Sequence, residues 1–176
     1  MIFNIIIKMS KNLWQNQDFE KNKKYWSTKD SSESLGIRIE NLSIVNNILQ
    51  KNNISFFLEG QTLNHVFKNN CLDPSDHDDD IGVYYKDRKK ILRLDNIFNK
   101  NGFEIIRIND NMISVCRLYR YIDICLFKNY LFTTGYGNKK FPKKYYLKFN
   151  TLIFENIEFK IPNSTEEFLN TRYEIK

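Results

Sequence analysis

Cysteine pairs, histidine clusters and long apolar runs are missing from this chain, and each absence removes a class of protein. Its three cysteines, Cys71, Cys116 and Cys125, are odd in number and form no CxxC. That excludes a disulfide framework and a zinc knuckle, and it fits a reducing compartment. Cys125 alternates with apolar neighbours and reads as a core thiol. The histidines, His65 and His77, have no second histidine or cysteine at ligand spacing. The apolar opening, residues 1–7, is too short to span a membrane. It also lacks the basic start and small-residue cleavage site of a signal peptide, so the expected location is cytoplasmic. It reads as a strand, or as a tail upstream of a start at Met9. No internal repeat and no Pro/Gly/Ser-rich linker divides the 176 residues, a length suited to one domain with its own core.

What the chain does have is apolar and basic. Hydrophobic residues make up 41% and aromatics 15%, which places it among globular rather than disordered proteins. The formal charge is +6. A basic body around an acidic cluster suits a polyanion bound through metal, such as a nucleotide; a solvated lysine surface gives the same count. Residues 8–34 are polar and lysine-rich, with Trp14, Phe19, Tyr25 and Trp26 as anchors. Residues 1–36 therefore read as a polar extension packed on a body of residues 37–176.

Apolar spacing predicts a helix over 37–50 and a buried strand over 54–58, ended by Gly60. A short helix follows over 61–69, a strand over 80–85 and a helix over 87–99. Strands are expected over 103–108, 112–119 and 121–127, and a hairpin of 152–154 and 158–161 turns about Asn156. Ser164 and Glu167 have the spacing of a capping box for a last helix. Helices and strands mix throughout, so the fold class is α/β or α+β, with a mixed sheet flanked by helices in a single domain.

The chemistry gathers at Asp76, Asp78 and Asp80, where the 80–85 strand begins. Extended chain turns every second side chain to one face, so these three share a face while Ile81, Val83 and Tyr85 enter a core. Carboxylates crowded on one face repel, and the simplest compensation is a hard divalent cation with oxygen ligands. Asp123 sits inside the apolar run Tyr121-Ile122-Asp123-Ile124-Cys125-Leu126-Phe127 and is costly to bury unpaired. If its strand lies beside that of Asp80, it completes a three-carboxylate site. Otherwise it is an edge acid or a partner of Arg117 or Arg120. Two carboxylates one residue apart, a distant third, and a glycine turn before a helix form the pattern of the nucleotidyltransferase superfamily. There the acids hold Mg2+ on donor phosphates, and the helix N-terminus receives phosphate on backbone N–H groups.

The sequence Leu58-Glu59-Gly60-Gln61-Thr62-Leu63, then Pro74-x-Asp76-x-Asp78-x-Asp80, resembles the LicD and fukutin-related family. Residues 154–162, Phe168-Leu169 and Tyr173 are similar to that family's closing motifs. The resemblance covers about residues 54–174 and implies a nucleotidyltransferase-type fold for the body. It implies transfer of phosphocholine, ribitol phosphate or a similar phospho-alcohol from a CDP-linked donor to a sugar or glycan hydroxyl, with Mg2+ or Mn2+. Asp78, Asp80 and Asp123 would be catalytic metal ligands, Asp123 also helping to deprotonate the acceptor. Asp76 would be a further ligand or an acid just behind them. Gly60, Gln61, Thr62, His65 and Lys68 would face the donor, Lys68 standing where the family usually has arginine. Gln61 and His65 replace glycines, Asn64 a leucine, Ser75 a tryptophan and Glu174 a glycine. These departures bear on donor identity more than on metal binding.

Rival readings are a minimal nucleotidyltransferase that moves an NMP from an NTP, and an inactive nucleotide-binding relative. An EF-hand loop fails because Ile81 stands where glycine is required. Nucleic acid is not the expected partner. The stretch Lys139–Tyr146, after a mobile lid loop at Gly135-Tyr136-Gly137, could meet bases or a glycan, or be a solvated loop. His77 reads as a loop residue, and His65 could approach a phosphate.

Overall fold

Helix α1 (Ser32–Lys51) opens residues 32–173, the part of the chain that the computed structural model describes. Residues 1–31 of the 1–36 extension, with its four aromatic anchors, lie outside the described residues, and residues 32–36 belong to α1. Helix α1 buries Arg38, Leu42, Val45, Ile48 and Leu49, a stripe at intervals of three and four. It begins before residue 37 because its first turn is largely solvent-facing and carries no apolar spacing.

Strand β1 (Phe56–Leu58), helix α2 (Gly60–Asn69) and strand β2 (Asp78–Tyr84) follow. Strand β2 starts two residues earlier than expected, which draws Asp78 and Asp79 into the ladder. Tyr85 leaves the strand and enters a 3-10 turn (Tyr85–Asp87). The single helix expected over 87–99 is two short ones, α3 (Arg88–Leu92) and α4 (Asp95–Lys100). No glycine or proline marks the break. The backbone tightens to three-residue spacing there, with Leu94 N–H bonding Ile91 at 2.9 Å and Ile97 N–H bonding Leu94 at 2.8 Å.

Strands β3 (Glu104–Ile108), β4 (Met112–Arg117) and β5 (Arg120–Asn129) form a meander. Strands β6 (Thr133–Tyr136) and β7 (Lys139–Pro142) make a hairpin that pairs with the end of β5. The sheet order is β1-β2-β5-β4-β3, with β6 and β7 off this path. Strands β2 and β5 run parallel and the other described pairs run antiparallel. Strands β8 (Phe149–Phe154) and β9 (Ile157–Pro162) form a separate hairpin. It turns on Glu155 and Asn156, both at positive φ, as a two-residue hairpin loop requires. Helix α5 (Thr165–Tyr173) closes the described chain. The whole is a mixed α/β domain, as the order of elements implies.

Three expectations fail here. The Gly135-Tyr136-Gly137 segment is not a lid loop, because Gly135 and Tyr136 belong to β6. A Cβ on Gly135 would lie 2.0 Å from the Lys139 carbonyl oxygen, so this glycine permits close backbone approach. Tyr145 and Tyr146 also turn inward, and are 2% and 4% exposed. They join Phe57, Phe127, Phe141 and Phe168 in an aromatic core and present no free face to a base or sugar. The capping box is absent as well. Ser164 has φ +50°, and the Glu167 carboxylate accepts from Lys144 and Tyr145.

Candidate active site

Parallel register sets the site. Asp80 on β2 stands opposite Asp123 on β5, and Asp78 stands opposite Tyr121. Because strand side chains alternate, Asp78, Asp80 and Asp123 share one face. One carboxylate oxygen from each lies within 4.8 Å of the others. Burial and mutual repulsion make this arrangement expensive when charged. Desolvation, then Asp80, Asp123 and Asp76, push Asp78 up to about 8. Desolvation, then Asp123 and Glu59, push Asp80 up to about 7, against Lys139 and Arg172. Asp76 is not part of the triad. Its side chain hydrogen-bonds the Asp78 carboxyl, and its Oδ1 accepts the His77 N–H at 3.0 Å.

The acid between Asp78 and Asp80 on β2 does different work. Asp79 points to the α1 side, where Arg38 donates from Nε at 3.1 Å and from a terminal nitrogen at 2.9 Å. Both side chains are 1% exposed. The remaining guanidinium donors hold the carbonyls of Asp73, Asp76 and Asp78 at 2.8, 2.9 and 3.1 Å. One buried arginine thus fixes the loop that leads into the ligand strand. Sequence reasoning missed it, because Arg38 lies 41 residues from Asp79. Its position on the apolar stripe of α1 was the available signal.

On the far side of Asp123 a polar row crosses the sheet. Arg107 on β3 pairs with Ser114 on β4, and Ser114 pairs with Asp123. Arg107 donates to both Asp123 oxygens at 2.8 and 2.9 Å, and Ser114 donates at 2.5 Å. Asp123 is therefore ion-paired, but with Arg107 rather than with Arg117 or Arg120. Burial raises its pKa while Arg107 and Ser114 pull it down. The sequence signal for the row is one polar residue inside each of two apolar strands.

Gly60 begins α2 at φ +62°, in the left-handed region that suits glycine. A Cβ there would lie 2.1 Å from Asp80 Oδ2, so the turn presses directly against a ligand carboxylate. Thr62 is buried, and its hydroxyl accepts the Asp80 N–H at 2.8 Å. Glu59 is fully buried and ion-paired with Arg172 of α5, leaving its Oε2 without a hydrogen bond. His65 turns to Asp73, 3.2 Å away, and ties α2 to the following loop. Lys68 is exposed in the last turn of α2, about 12 Å along the helix axis from Gly60 at 1.5 Å per residue.

A cleft of about 470 Å3 opens beside the triad. Gly60, Gln61 and Asp80 form one wall, and Lys139, Lys140 and Arg172 supply positive charge on the other. That volume falls within the usual range for small-molecule sites. Of the residues expected to face a donor, Gly60 and Gln61 line it, whereas Thr62, His65 and Lys68 do not.

A carboxylate triad on the central strands of a mixed sheet, beside a glycine turn and a basic cleft, defines a nucleotidyltransferase-type domain. Among solved structures, the crystal structure of the lincosamide antibiotic adenylyltransferase LnuA with lincomycin bound has a similar fold. Its TM-score is 0.51 at 12% identity, over 81% of this chain and 86% of that one. No curated protein matches the sequence. The family model described as LicD/FKTN/FKRP, nucleotidyltransferase domain, matches residues 53–164, more than half of the chain. The chain belongs to that family, and family and fold together support a transferase. Among the described residues no helix is long and apolar enough to cross a membrane.

Proposed function

We propose that the protein is a divalent-metal-dependent transferase that moves a phospho-alcohol, such as phosphocholine or ribitol phosphate, from a CDP-linked donor to a sugar or glycan hydroxyl. The observation that carries the reading is the cluster of Asp78, Asp80 and Asp123, with Asp80 lining a cleft that Lys139, Lys140 and Arg172 also line.

The residues fit Mg2+ or Mn2+. All three ligands are hard oxygens, and their spread of 4.8 Å is close to the roughly 3–4 Å between oxygens around an octahedral ion with bonds of about 2.1 Å. When bound, the ion neutralises charge on the donor phosphates and on the attacking oxygen. Asp78 and Asp80 hold it from β2 and Asp123 holds it from β5. Thr62 and Gly60 keep Asp80 in place from the α2 turn. Lys139, Lys140 and Arg172 take the negative charge of the donor, and Gln61 contacts it at the cleft wall. Asp123 receives the acceptor proton. Arg107 and Ser114 stabilise its charged form, while desolvation keeps it basic.

The test is a thermal-shift titration with CDP-choline, CDP-ribitol, CDP-glycerol, CTP, ATP and UTP, each with and without Mg2+. A metal-dependent shift for one CDP-alcohol, followed by CMP release on turnover, supports the reading. A shift with triphosphates alone, and pyrophosphate as product, replaces it with NMP transfer. Silence with all of them marks an inactive relative.

A further inference from the structure

The turn between β5 and β6 carries two large apolar side chains into solvent. Leu131 and Phe132 are each 79% exposed. The turn is not loose. Tyr130 N–H bonds the Thr133 carbonyl at 2.8 Å, and Lys143 N–H bonds the Phe132 carbonyl at 3.0 Å. Lys143 Nζ also reaches the Tyr130 carbonyl at 3.4 Å. A structured hairpin that presents leucine and phenylalanine uncovered by any of the described residues is shaped to insert.

The charge around the turn is of one sign. Between Asp123 and Glu155 the chain has no carboxylate and six lysines, at positions 128, 139, 140, 143, 144 and 148. Lys140 lies 3.2 Å from the centre of the Tyr130 ring. Lys144 is engaged by Glu167, whereas Lys140 and Lys148 are exposed. An apolar tip flanked by Lys140 and Lys143 complements a surface with anionic headgroups above a hydrocarbon layer. A second copy of the chain would bring lysine against lysine. Nucleic acid would want a row of aromatic faces, but Lys140 covers Tyr130 and Leu131 has no π-face, which leaves Phe132 alone on the tip.

We infer that the Tyr130–Thr133 hairpin docks the protein on an anionic lipid surface through Leu131 and Phe132, steered by the surrounding lysines. Thr133 pairs with Pro142, which lines the cleft, so docking brings the cleft mouth to the lipid headgroups. The inference stands apart from the transfer chemistry, because neither Leu131 nor Phe132 lines the cleft.

Flotation of the full chain with phosphatidylcholine vesicles, with and without phosphatidylglycerol, tests it. The wild type should bind the anionic vesicles, and added salt should weaken that binding. The double variant Leu131→Ser/Phe132→Ser should lower partitioning about tenfold by removing the apolar contact. Its melting temperature should match wild type, because both side chains are already in water. Ile153→Ser, which removes another exposed apolar side chain (68% exposed) from β8, should change nothing. No binding to anionic vesicles overturns the inference, as does binding that the double variant retains. Binding to single-stranded RNA or DNA without vesicle binding assigns the lysines to nucleic acid instead. Self-association that the double variant abolishes, again without vesicle binding, assigns the tip to a second copy.

Discussion

Replacing Asp78 with asparagine should stabilise the metal-free protein at high pH, although it removes a ligand. Asp78 rises from 3.8 to about 8 on folding, and Asp80 from 3.8 to about 7. A carboxyl with a raised pKa holds its proton more tightly in the native state than in the unfolded chain. Its contribution to stability is complete below the unfolded pKa and drains away as pH climbs through the folded one. The window for this site therefore runs from about pH 4 to about pH 8. Asparagine cannot ionise, so the variant escapes the loss at that position. Relief equivalent to one pKa unit is about 1.4 kcal/mol. For a domain of this size that is about 4 °C in melting temperature. Below about pH 4 the Asp78 carboxyl is protonated in both the native and the unfolded chain and the two proteins should melt together; at about pH 9 in EDTA the variant should melt higher. Magnesium should reverse the order. At a hundredfold excess over Kd, wild type gains about 2.7 kcal/mol, whereas the variant has lost a ligand and gains little. Melting curves across pH, in EDTA and in Mg2+, measure all of this. A difference between the proteins that does not vary with pH would refute the reasoning, and so would a variant that melts below wild type at high pH in EDTA.

Three further outcomes follow from the same geometry. Gly60→Ala forces a Cβ onto Asp80 and strains the turn, so the Mg2+-dependent thermal shift and turnover should both be lost, which calorimetry and a turnover assay would read. Arg38→Ala takes the guanidinium away from buried Asp79 and from three carbonyls, and should cost about 3–5 kcal/mol in chemical denaturation. Arg107→Ala removes a positive charge that competes for Asp123, so Mn2+ should bind more tightly by titration calorimetry even though the metal-free protein melts lower.

The clustering of three carboxylates was legible because it rests on short-range rules. Alternation put Asp78 and Asp80 on one face, and an acid inside an apolar strand singled out Asp123. Their partners were hidden because they depend on register. Nothing near Asp79 in sequence announces Arg38, and nothing near Asp123 announces Arg107 across two strands. The β6–β7 hairpin was masked by composition. Gly135 and the lysines that follow it read as loop, because a glycine demanded by close backbone approach looks locally like one demanded by flexibility. The break between α3 and α4 has no residue signal at all. There the backbone tightens around buried Leu94, a choice made by packing.

The run Asp78-Asp79-Asp80 has a consequence for how the chain finds its native pairing. Three identical residues in a row give β2 little means of telling one alignment from the next. A slip of one position against β5 would send two acids to the α1 side and leave Asp79 facing Asp123. A slip of two would restore the faces but shift the whole ligand frame. Arg38 breaks the degeneracy. Its guanidinium grips the Asp79 carboxylate and three carbonyls at fixed offsets from it, a pattern met in one alignment and spoiled in the others. A buried ion pair that contributes little to net stability can thus serve as the reading frame of the strand, choosing which two of three aspartates become ligands.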